Sequence, residues 1–237
     1  MKNPTNLEFK KIFDGAARDY DKISNHYTRK RRLEYLQISN KKKILEVGAG
    51  TGIITEYADE TSLCTDISFE MCKQAKKRRK AVVCCDAELL PFKKKYFDVI
   101  ISSEMIYYLE NPERFLRESH LMLNDNGEIR ISMVNKQMKF VDDIRKILQK
   151  FGIKEMYFDD KVKKYMDLTV LKKYLDEQNF KIISVDKKIL IPLEMFDSFN
   201  KIFEKTELGR FCLFIIVYAV KKTNNFLQKH NMGKKFV

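Results

Sequence analysis

The sequence ILEVGAGTG at residues 44–52 constrains the fold of this chain more than any other stretch. An apolar run ends at the acid Glu46, and three glycines then alternate at Gly48, Gly50 and Gly52. A buried parallel strand has this appearance where it breaks into a turn that opens a helix. Glycines allow positive φ and the close approach of a ligand, and the N-terminus of the next helix offers N–H groups to an anion. The stretch predicts a nucleotide-type ligand at a strand–loop–helix corner.

The spacing of the glycines distinguishes two kinds of nucleotide loop. The dinucleotide fingerprint G-x-G-x-x-G requires a third glycine at position 53, which is Ile53. Here the third glycine comes one residue earlier, in the pattern E-x-G-x-G-x-G. This pattern resembles motif I of the class I methyltransferases that depend on S-adenosylmethionine (SAM). Taken alone, the stretch also fits a glycine-rich turn without a ligand.

Two further acids follow predicted strands. Asp66 ends a second strand and lies 20 residues after Glu46, the spacing at which a Rossmann-type fold places a carboxylate on ribose hydroxyls. Ser68 then caps a helix on which Met71 is placed to pack on an adenine ring. Asp86 follows the third strand and opens DAELLPF at residues 86–92, which resembles the D-A-x-x-L-P-F motif of the same methyltransferases. The resemblance implies that the Asp86 carboxylate accepts a hydrogen bond from the adenine amino group, while the Ala87 N–H donates one to a ring nitrogen.

Three more blocks extend the resemblance to about residues 13–135. FDGAARDYDKI at residues 13–23, with Tyr20 beside Asp21, resembles the F-x3-A-x2-Y-D signature of many small-molecule methyltransferases, in which this segment lies over the SAM pocket. An amphipathic helix with an exposed tyrosine is the alternative. YFDVIISSEMIYYL at residues 96–109 resembles the fourth-strand block, and residues 111–134 resemble the helix and strand that follow it. Tyr108 replaces a frequent histidine, and Asn124-Asp125-Asn126-Gly127 replaces the usual turn before strand five.

The resemblance implies an α/β fold, a Rossmann-like doubly wound seven-stranded sheet that is mostly parallel, with an antiparallel last strand and a helical cap. The alternation of strands and helices predicts a doubly wound sheet independently. SAM is the implied cofactor and S-adenosylhomocysteine (SAH) its product. The cofactor-binding candidates are Glu46, Gly48, Ala49, Gly50, Gly52, Asp66, Ile67, Met71, Asp86, Ala87, Ser102, Ser103 and Tyr20.

We divide the chain into parts of one domain. These are an N-terminal helical lid (1–40), a SAM-binding core (41–135), a helical cap (136–166), the C-terminal part of the core with the last helix and strands six and seven (167–221), and a basic tail (222–237). The cap, with Tyr20, Tyr107 and Tyr108, is expected to wall the acceptor side.

Composition excludes several classes of protein. No apolar run reaches the roughly 20 residues needed to span a bilayer, and the N-terminus lacks the apolar core of a signal peptide. The five cysteines contain no C-x-x-C pair, so reduced thiols in a cytoplasmic protein are expected and no metal site is predicted. The net charge of +13 is dominated by scattered lysines and is weak support for an anionic partner.

An oxygen or nitrogen acceptor can require a base, for which His26, Glu104, Tyr107 and Tyr108 are the candidates. His26 lies among basic residues and fits a solvated surface histidine better, while His120 is expected to be structural. Glu104 matches a glutamate of the quinone-type methyltransferases, but also fits a first-turn helix acid.

We expect methyl transfer to a small molecule; an RNA or protein acceptor, or SAM binding without transfer, are the alternatives. The chain lacks an N-P-P-Y motif, a Pro-Cys nucleophile and an appended RNA-binding module, so a nucleic-acid partner is not favoured.

Overall fold

The computed structural model describes residues 5–23, 26–38, 42–58, 60–78, 81–136, 165–188, 194–206 and 212–222. In these ranges seven strands form one sheet. They are β1 (Ile44–Val47), β2 (Leu63–Asp66), β3 (Val82–Cys84), β4 (Phe97–Ser103), β5 (Leu123–Val134), β6 (Phe180–Lys188) and β7 (Phe214–Lys221). The α-helices are α1 (Asn6–Ala16), α2 (Tyr20–Ile23), α3 (His26–Leu36), α4 (Phe69–Ala75), α5 (Pro112–Met122), α6 (Leu168–Glu177) and α7 (Asp197–Phe203).

The strand order is β3-β2-β1-β4-β5-β7-β6. Strands β1 to β5 pair in parallel, whereas β7 runs antiparallel to both β5 and β6. This confirms the predicted doubly wound sheet with a reversed last strand. In such sheets ligands bind beyond the carboxyl ends of the strands, near the point where the strand order reverses. That point lies here between β1 and β4, so the loop after β1 is at the ligand edge.

Both faces of the sheet are covered, as the near-continuous apolar strands require. One face packs on α5 and α6 and forms the largest core cluster, which includes Leu45, Ile100, Phe115 and Leu171. The other face packs on α3, where Leu36, Ile44 and Ile101 share one cluster and Tyr35 packs with Ile216 in another. Because side chains alternate along a strand, Glu46 points to the same face as Ile44.

Helix starts agree with the capping residues in the sequence. Thr5 and Glu8 form a reciprocal capping box at α1, and Ser68 Oγ accepts from the backbone N–H of Met71 at α4. Asn111 caps α5, where Pro112 occupies the first turn. These local signals explain why the helices begin where they do.

Two local expectations need correction. The helix predicted to open directly after the glycine loop is instead a turn followed by a short 3-10 helix, Thr55–Tyr57. The expected turn at Asn124–Gly127 is part of β5, where the register with β4 shifts and Asn126 adopts a φ of 66°. An asparagine tolerates this conformation because its side chain hydrogen-bonds locally, so the chain bulges instead of reversing.

Other expectations fall outside the described residues. These include most of the predicted cap (136–166), of which only 136, 165 and 166 are described, and the tail after 222. The boundaries that we drew between the parts of the chain stay predictions. All five cysteines are free thiols, and Cys84 on the edge strand β3 is exposed.

Candidate functional site

The loop after β1 has the conformation that its glycines predict. Gly48, Gly50 and Gly52 have φ values of 72°, 57° and 76°. At Gly48 the need for glycine is also steric, because a Cβ would lie 2.2 Å from Cγ of Met105. At Gly50 a Cβ would lie 3.6 Å from the ring of Tyr20. The loop therefore lies between Met105 and Tyr20 of the N-terminal segment.

Two carboxyl groups flank this loop. Asp66, at the end of β2, accepts from the backbone N–H of Gly50 at 2.8 Å and of Ser68 at 2.9 Å. Glu46 in β1 is 1% exposed and accepts from the Thr55 N–H at 3.2 Å. Burial raises the pKa of Asp66 to about 6 and that of Glu46 to about 7, while these hydrogen bonds oppose the shifts. Both acids lie where a cationic or hydroxyl-bearing ligand would stabilise their ionised forms.

Asp86 orders the third loop of this edge. Its Oδ1 accepts from the Glu88 N–H at 2.8 Å, and its Oδ2 accepts from Nδ2 of Asn6 at 3.2 Å. Asn6 begins α1, so the N-terminal helix reaches the predicted adenine loop directly. Ala87 is buried beside Asp86.

Glu104 occupies the carboxyl end of β4 in a strained conformation. Its φ is 56°, and its backbone N–H donates to the Ser132 carbonyl at 3.0 Å. The carboxylate accepts from Ser132 Oγ at 2.8 Å and from Tyr107 Oη at 3.0 Å. Positive φ at a residue with a Cβ costs about 1–3 kcal/mol and persists where the surroundings fix it, which is common at functional sites. We call Glu104, Ser132 and Tyr107 the carboxylate shelf.

Aromatic rings cover this end of β4. The Tyr108 ring lies 4.7 Å from that of Tyr107 and meets Phe9 and Phe13 of α1 at 5.1 and 5.5 Å. Burial raises the pKa of Tyr107 and Tyr108 well above the usual range for tyrosine, and the neighbouring Glu104 acts in the same direction. Both phenols therefore stay protonated near neutral pH, and Tyr107 donates to Glu104. A catalytic role of Tyr108 stays a prediction.

The N-terminal segment α1–α2 crosses the loops that follow β1, β2, β3 and β4. Besides the contact between Asn6 and Asp86, Asp14 accepts from Ser68 Oγ at 2.6 Å. Asp21 accepts from Thr51 Oγ1 at 2.6 Å and pairs with Arg78. We call this segment, residues 5–23, the strap. It contacts the loops after β1, β2 and β3 and the aromatic residues after β4, so any ligand of these loops would lie beneath it.

The residues present fit SAM. The open backbone of the glycine loop leaves room for a close approach. The Asp66 carboxylate, which accepts from the backbone N–H groups of Gly50 and Ser68, is an acceptor of the kind that ribose hydroxyls require. Asp86 and the Ala87 N–H remain the predicted adenine contacts. Glu46 is a buried acid with a raised pKa, which a cationic group would offset. Among the described residues, no group of three or more His, Cys, Asp or Glu is placed to hold a metal ion.

The other predicted residues have varied positions. Ala49 lies in the glycine loop and donates to the Thr65 carbonyl, and Ile67 is half-buried after β2. Met71 is fully buried within α4, so its side chain would have to move to reach an adenine ring. Ser102 is fully buried and Ser103 contacts Ser132 Oγ at 3.2 Å. His26 begins α3, but its side chain lies outside the described part of the structure.

Sequence reasoning missed three residues of this edge: Asn6, Asp14 and Ser132. Each is distant in sequence from its partner, and none belongs to a glycine or acid motif. Asp14 lies within the F-x3-A-x2-Y-D segment, and that resemblance is the sequence signal that could have pointed to it.

Comparisons with known proteins agree with this geometry. Residues 45–131 match the family model of a methyltransferase domain. An uncharacterised protein of Methanocaldococcus jannaschii is 36% identical over 133 residues, covering 54% of this chain and 53% of that protein. The malonyl-[acyl-carrier protein] O-methyltransferase of Legionella pneumophila is 29% identical over 137 residues, covering 52% of this chain and 48% of that protein. The chain thus spans about half the length of these curated relatives.

A solved structure extends the likeness of the fold beyond the matched domain. A SAM-dependent methyltransferase of Thermotoga maritima superposes with a TM-score of 0.67 at 19% identity, covering 89% of this chain and 99% of that one. In the described residues no helix is long and apolar enough to cross a membrane. The glycine loop, the acids at the strand ends, the sheet order and the matched domain lead to one assignment. Residues 45–131 form a methyltransferase domain on the Rossmann-like fold of the SAM-dependent methyltransferases, and SAM is the cofactor that this domain implies.

Proposed function

We propose that this protein transfers the methyl group of SAM to an oxygen or nitrogen of a small-molecule acceptor by in-line displacement. The observation that carries the proposal is the carboxylate shelf, in which Glu104 is strained and fixed by Ser132 and Tyr107 beside the glycine loop. Bound SAM supplies an electrophilic methyl group on a sulfonium. The protein then has to align the acceptor, exclude water and accept a proton where the acceptor carries one.

We assign the proton-accepting role to Glu104. Its carboxylate accepts from two neutral donors, Ser132 Oγ and Tyr107 Oη, which fix its direction. A carboxylate has about four lone-pair positions and can therefore also accept a bond from an acceptor hydroxyl or amine. Met105, the next residue, is the side chain that a Cβ on Gly48 would strike, which supports placing Glu104 close to the methyl donor.

The aromatic residues support an acceptor with an apolar part. Tyr107, Tyr108, Phe9 and Phe13 form a wall at the same edge, and their rings exclude water from it. We also propose, from the sequence, that the cap at residues 136–166 contributes specificity. A base function for His26 stays a prediction.

The name of one relative supports an acidic acceptor. The Legionella protein is an O-methyltransferase of malonyl-[acyl-carrier protein], whose name describes transfer to a carrier-linked acid. We propose a partly hydrophobic or anionic acceptor for this chain, in agreement with its net charge of +13.

The test is an acceptor panel of carboxylic acids, phenols and amines incubated with SAM, with SAH formation as the readout. SAH formation should depend on an added small molecule. Glu104→Gln should lower kcat by about 10²–10⁴-fold while SAM affinity stays within about twofold. Glu118→Gln, on α5, is a matched control that should keep wild-type kcat.

The net charge supports a second candidate, an RNA or protein acceptor. SAH formation only with added RNA or protein would favour it, and phosphate-driven RNA binding should weaken steeply with salt. Tight SAM binding without transfer to any of these acceptors would favour a third function, a SAM-binding protein that is not a transferase.

A further inference from the structure

Two cysteine side chains meet where α4 packs on the edge of the sheet. Cys84 lies on the edge strand β3 and is exposed, whereas Cys72 lies on α4 and is only 7% exposed. The two thiols are in hydrogen-bonding contact, and Cys72 Sγ lies 3.9 Å from the carbonyl oxygen of Val83, the residue before Cys84. An exposed thiol and a buried thiol therefore lie side by side on two elements that are packed together.

Both thiols also support the loop between β2 and α4. Cys72 Sγ donates to the Asp66 carbonyl at 3.5 Å, and Cys84 Sγ donates to the Ile67 carbonyl at 3.6 Å. Cys84 is the register partner of Asp66 across the pairing of β3 with β2. Asp66 and Ile67 are candidate cofactor contacts, so a covalent change at the two sulfurs acts on the backbone that positions the Asp66 carboxylate.

We propose that Cys72 and Cys84 are an oxidation site, at which a peroxide forms a reversible disulfide that weakens the binding of SAM. A disulfide S–S bond is about 2.05 Å long, shorter than any hydrogen-bonded sulfur contact, so the sulfurs must move toward each other. Both S–H donors are lost in the same step, and the carbonyl groups of Asp66 and Ile67 lose these partners. The inference concerns the cofactor loop alone and is independent of the acceptor and of Glu104.

The reaction with hydrogen peroxide balances without any further reagent. The sulfur of Cys84, which solvent can reach, attacks one peroxide oxygen; the O–O bond breaks, a sulfenic acid forms and the Cys84 thiol proton leaves in water. Cys72 sulfur then attacks the sulfenic sulfur, the S–O bond breaks and a second water carries away the Cys72 proton. Burial raises the pKa of Cys72 and keeps it a thiol, so Cys84 reacts first.

The covalent step is tested by mass spectrometry of the full chain after treatment with hydrogen peroxide and alkylation of the remaining thiols. Wild type should lose two hydrogen atoms, and peptide mapping should join Cys72 to Cys84. Cys84→Ser and Cys72→Ala should both abolish this product. Cys85→Ser removes the neighbouring half-buried thiol and is the matched control, which should still form the disulfide.

The effect on the cofactor loop is read by calorimetry with SAH. Oxidised wild type should bind SAH about 3- to 10-fold more weakly than the reduced protein, because hydrogen bonds that support the loop are lost. Dithiothreitol should restore the affinity, which separates the disulfide from methionine sulfoxide, since a thiol reagent does not reverse the latter under these conditions. Cys84→Ser should bind SAH equally before and after peroxide, whereas Cys85→Ser should respond as wild type does.

Linkage provides a reciprocal measurement. If oxidation weakens SAH binding by 3- to 10-fold, saturating SAH must raise the reduction potential of the disulfide by about 15 to 30 mV, as titration in a dithiothreitol redox buffer measures. The proposal is wrong if peroxide produces no bond between Cys72 and Cys84, or if the disulfide forms and the SAH affinity of wild type does not change. Thermal melting checks the fold of each variant, and Cys84→Ser, at an exposed position, carries the test if Cys72→Ala does not fold.

Discussion

At the scale of single residues, the site contains two acids, Glu46 and Asp66, whose buried surroundings disfavour the ionised form. Glu46 and Asp66 have pKa values of about 7 and about 6 because burial outweighs their backbone hydrogen bonds. Both values lie above those of an unfolded chain, so these groups stabilise the fold fully below about pH 4 and lose that contribution as the pH rises through 6 to 7. A bound cationic ligand lowers the pKa of both groups, because it favours their ionised forms.

SAM binding should therefore release protons near pH 6.5. SAM carries a sulfonium and an ammonium, which lower the pKa of nearby carboxyl groups, so its affinity should rise between about pH 5.5 and 7.5. Calorimetry at pH 6.5 in buffers with different ionisation enthalpies measures the protons released. In Glu46→Gln the release should be smaller. Proton uptake, or a release that is identical in wild type and Glu46→Gln, would contradict this account.

At the scale of elements, the strap has little regular packing of its own against the sheet and depends on side-chain contacts with the loops. Its contacts include those of Asp14 with Ser68 and of Asp21 with Thr51 and Arg78. Such contacts are partly exposed and can open locally without unfolding the core. Since the strap crosses the loops that bind the cofactor, its opening is expected to limit ligand exchange.

Asp21→Asn should speed the dissociation of SAH. The substitution removes the charge that pairs with Arg78, and because the pair is partly exposed the expected gain in rate is about 3- to 10-fold. Displacement of a labelled SAH analogue in a stopped-flow instrument measures this rate. Asp19→Asn removes an exposed acid that pairs only with Lys22 among the described residues, and serves as the control. Equal rates in the two variants would mean that the contacts of Asp21 do not hold the strap closed.

At the scale of the whole molecule, one edge of one sheet carries all the proposed chemistry. The carboxyl ends of β1, β2 and β4 and the loop after β3 bring Glu46, Asp66, Glu104 and Asp86 to the same side. Helices cover both faces of the sheet. The loops at the ligand edge and the strap above them can therefore change conformation while the sheet stays intact. Ligand binding should consequently stabilise the whole cooperative unit.

SAM and SAH should raise the melting temperature, and NAD should not. The third glycine at position 52 and the 20-residue spacing to Asp66 favour SAM over a dinucleotide. At about 100 times the dissociation constant, a ligand that binds only the folded state adds about 2.7 kcal/mol to the free energy of unfolding. Thermal shift measurements at matched ligand concentrations test this, with Asp66→Ala expected to show a reduced shift. A rise in melting temperature with NAD and none with SAM would contradict the assignment of SAM as the cofactor.

The local pattern of the sequence determined the strands, the sheet class and the cofactor loops. Strand ends and glycine turns depend on backbone conformation and on side-chain periodicity within a few residues, so residues 44–52 and Asp66 were recognisable without a structure. The same reasoning failed at Thr55–Tyr57 and at residues 124–127, where packing against the sheet, and not propensity, selects the conformation.

Only the tertiary structure decided which side chains meet at the ligand edge. The contacts of Asn6 with Asp86, Asp14 with Ser68 and Ser132 with Glu104 join residues 80, 54 and 28 positions apart. Such contacts leave no periodic trace in the sequence, because they depend on how strands pair and helices dock and not on the local preference of either partner.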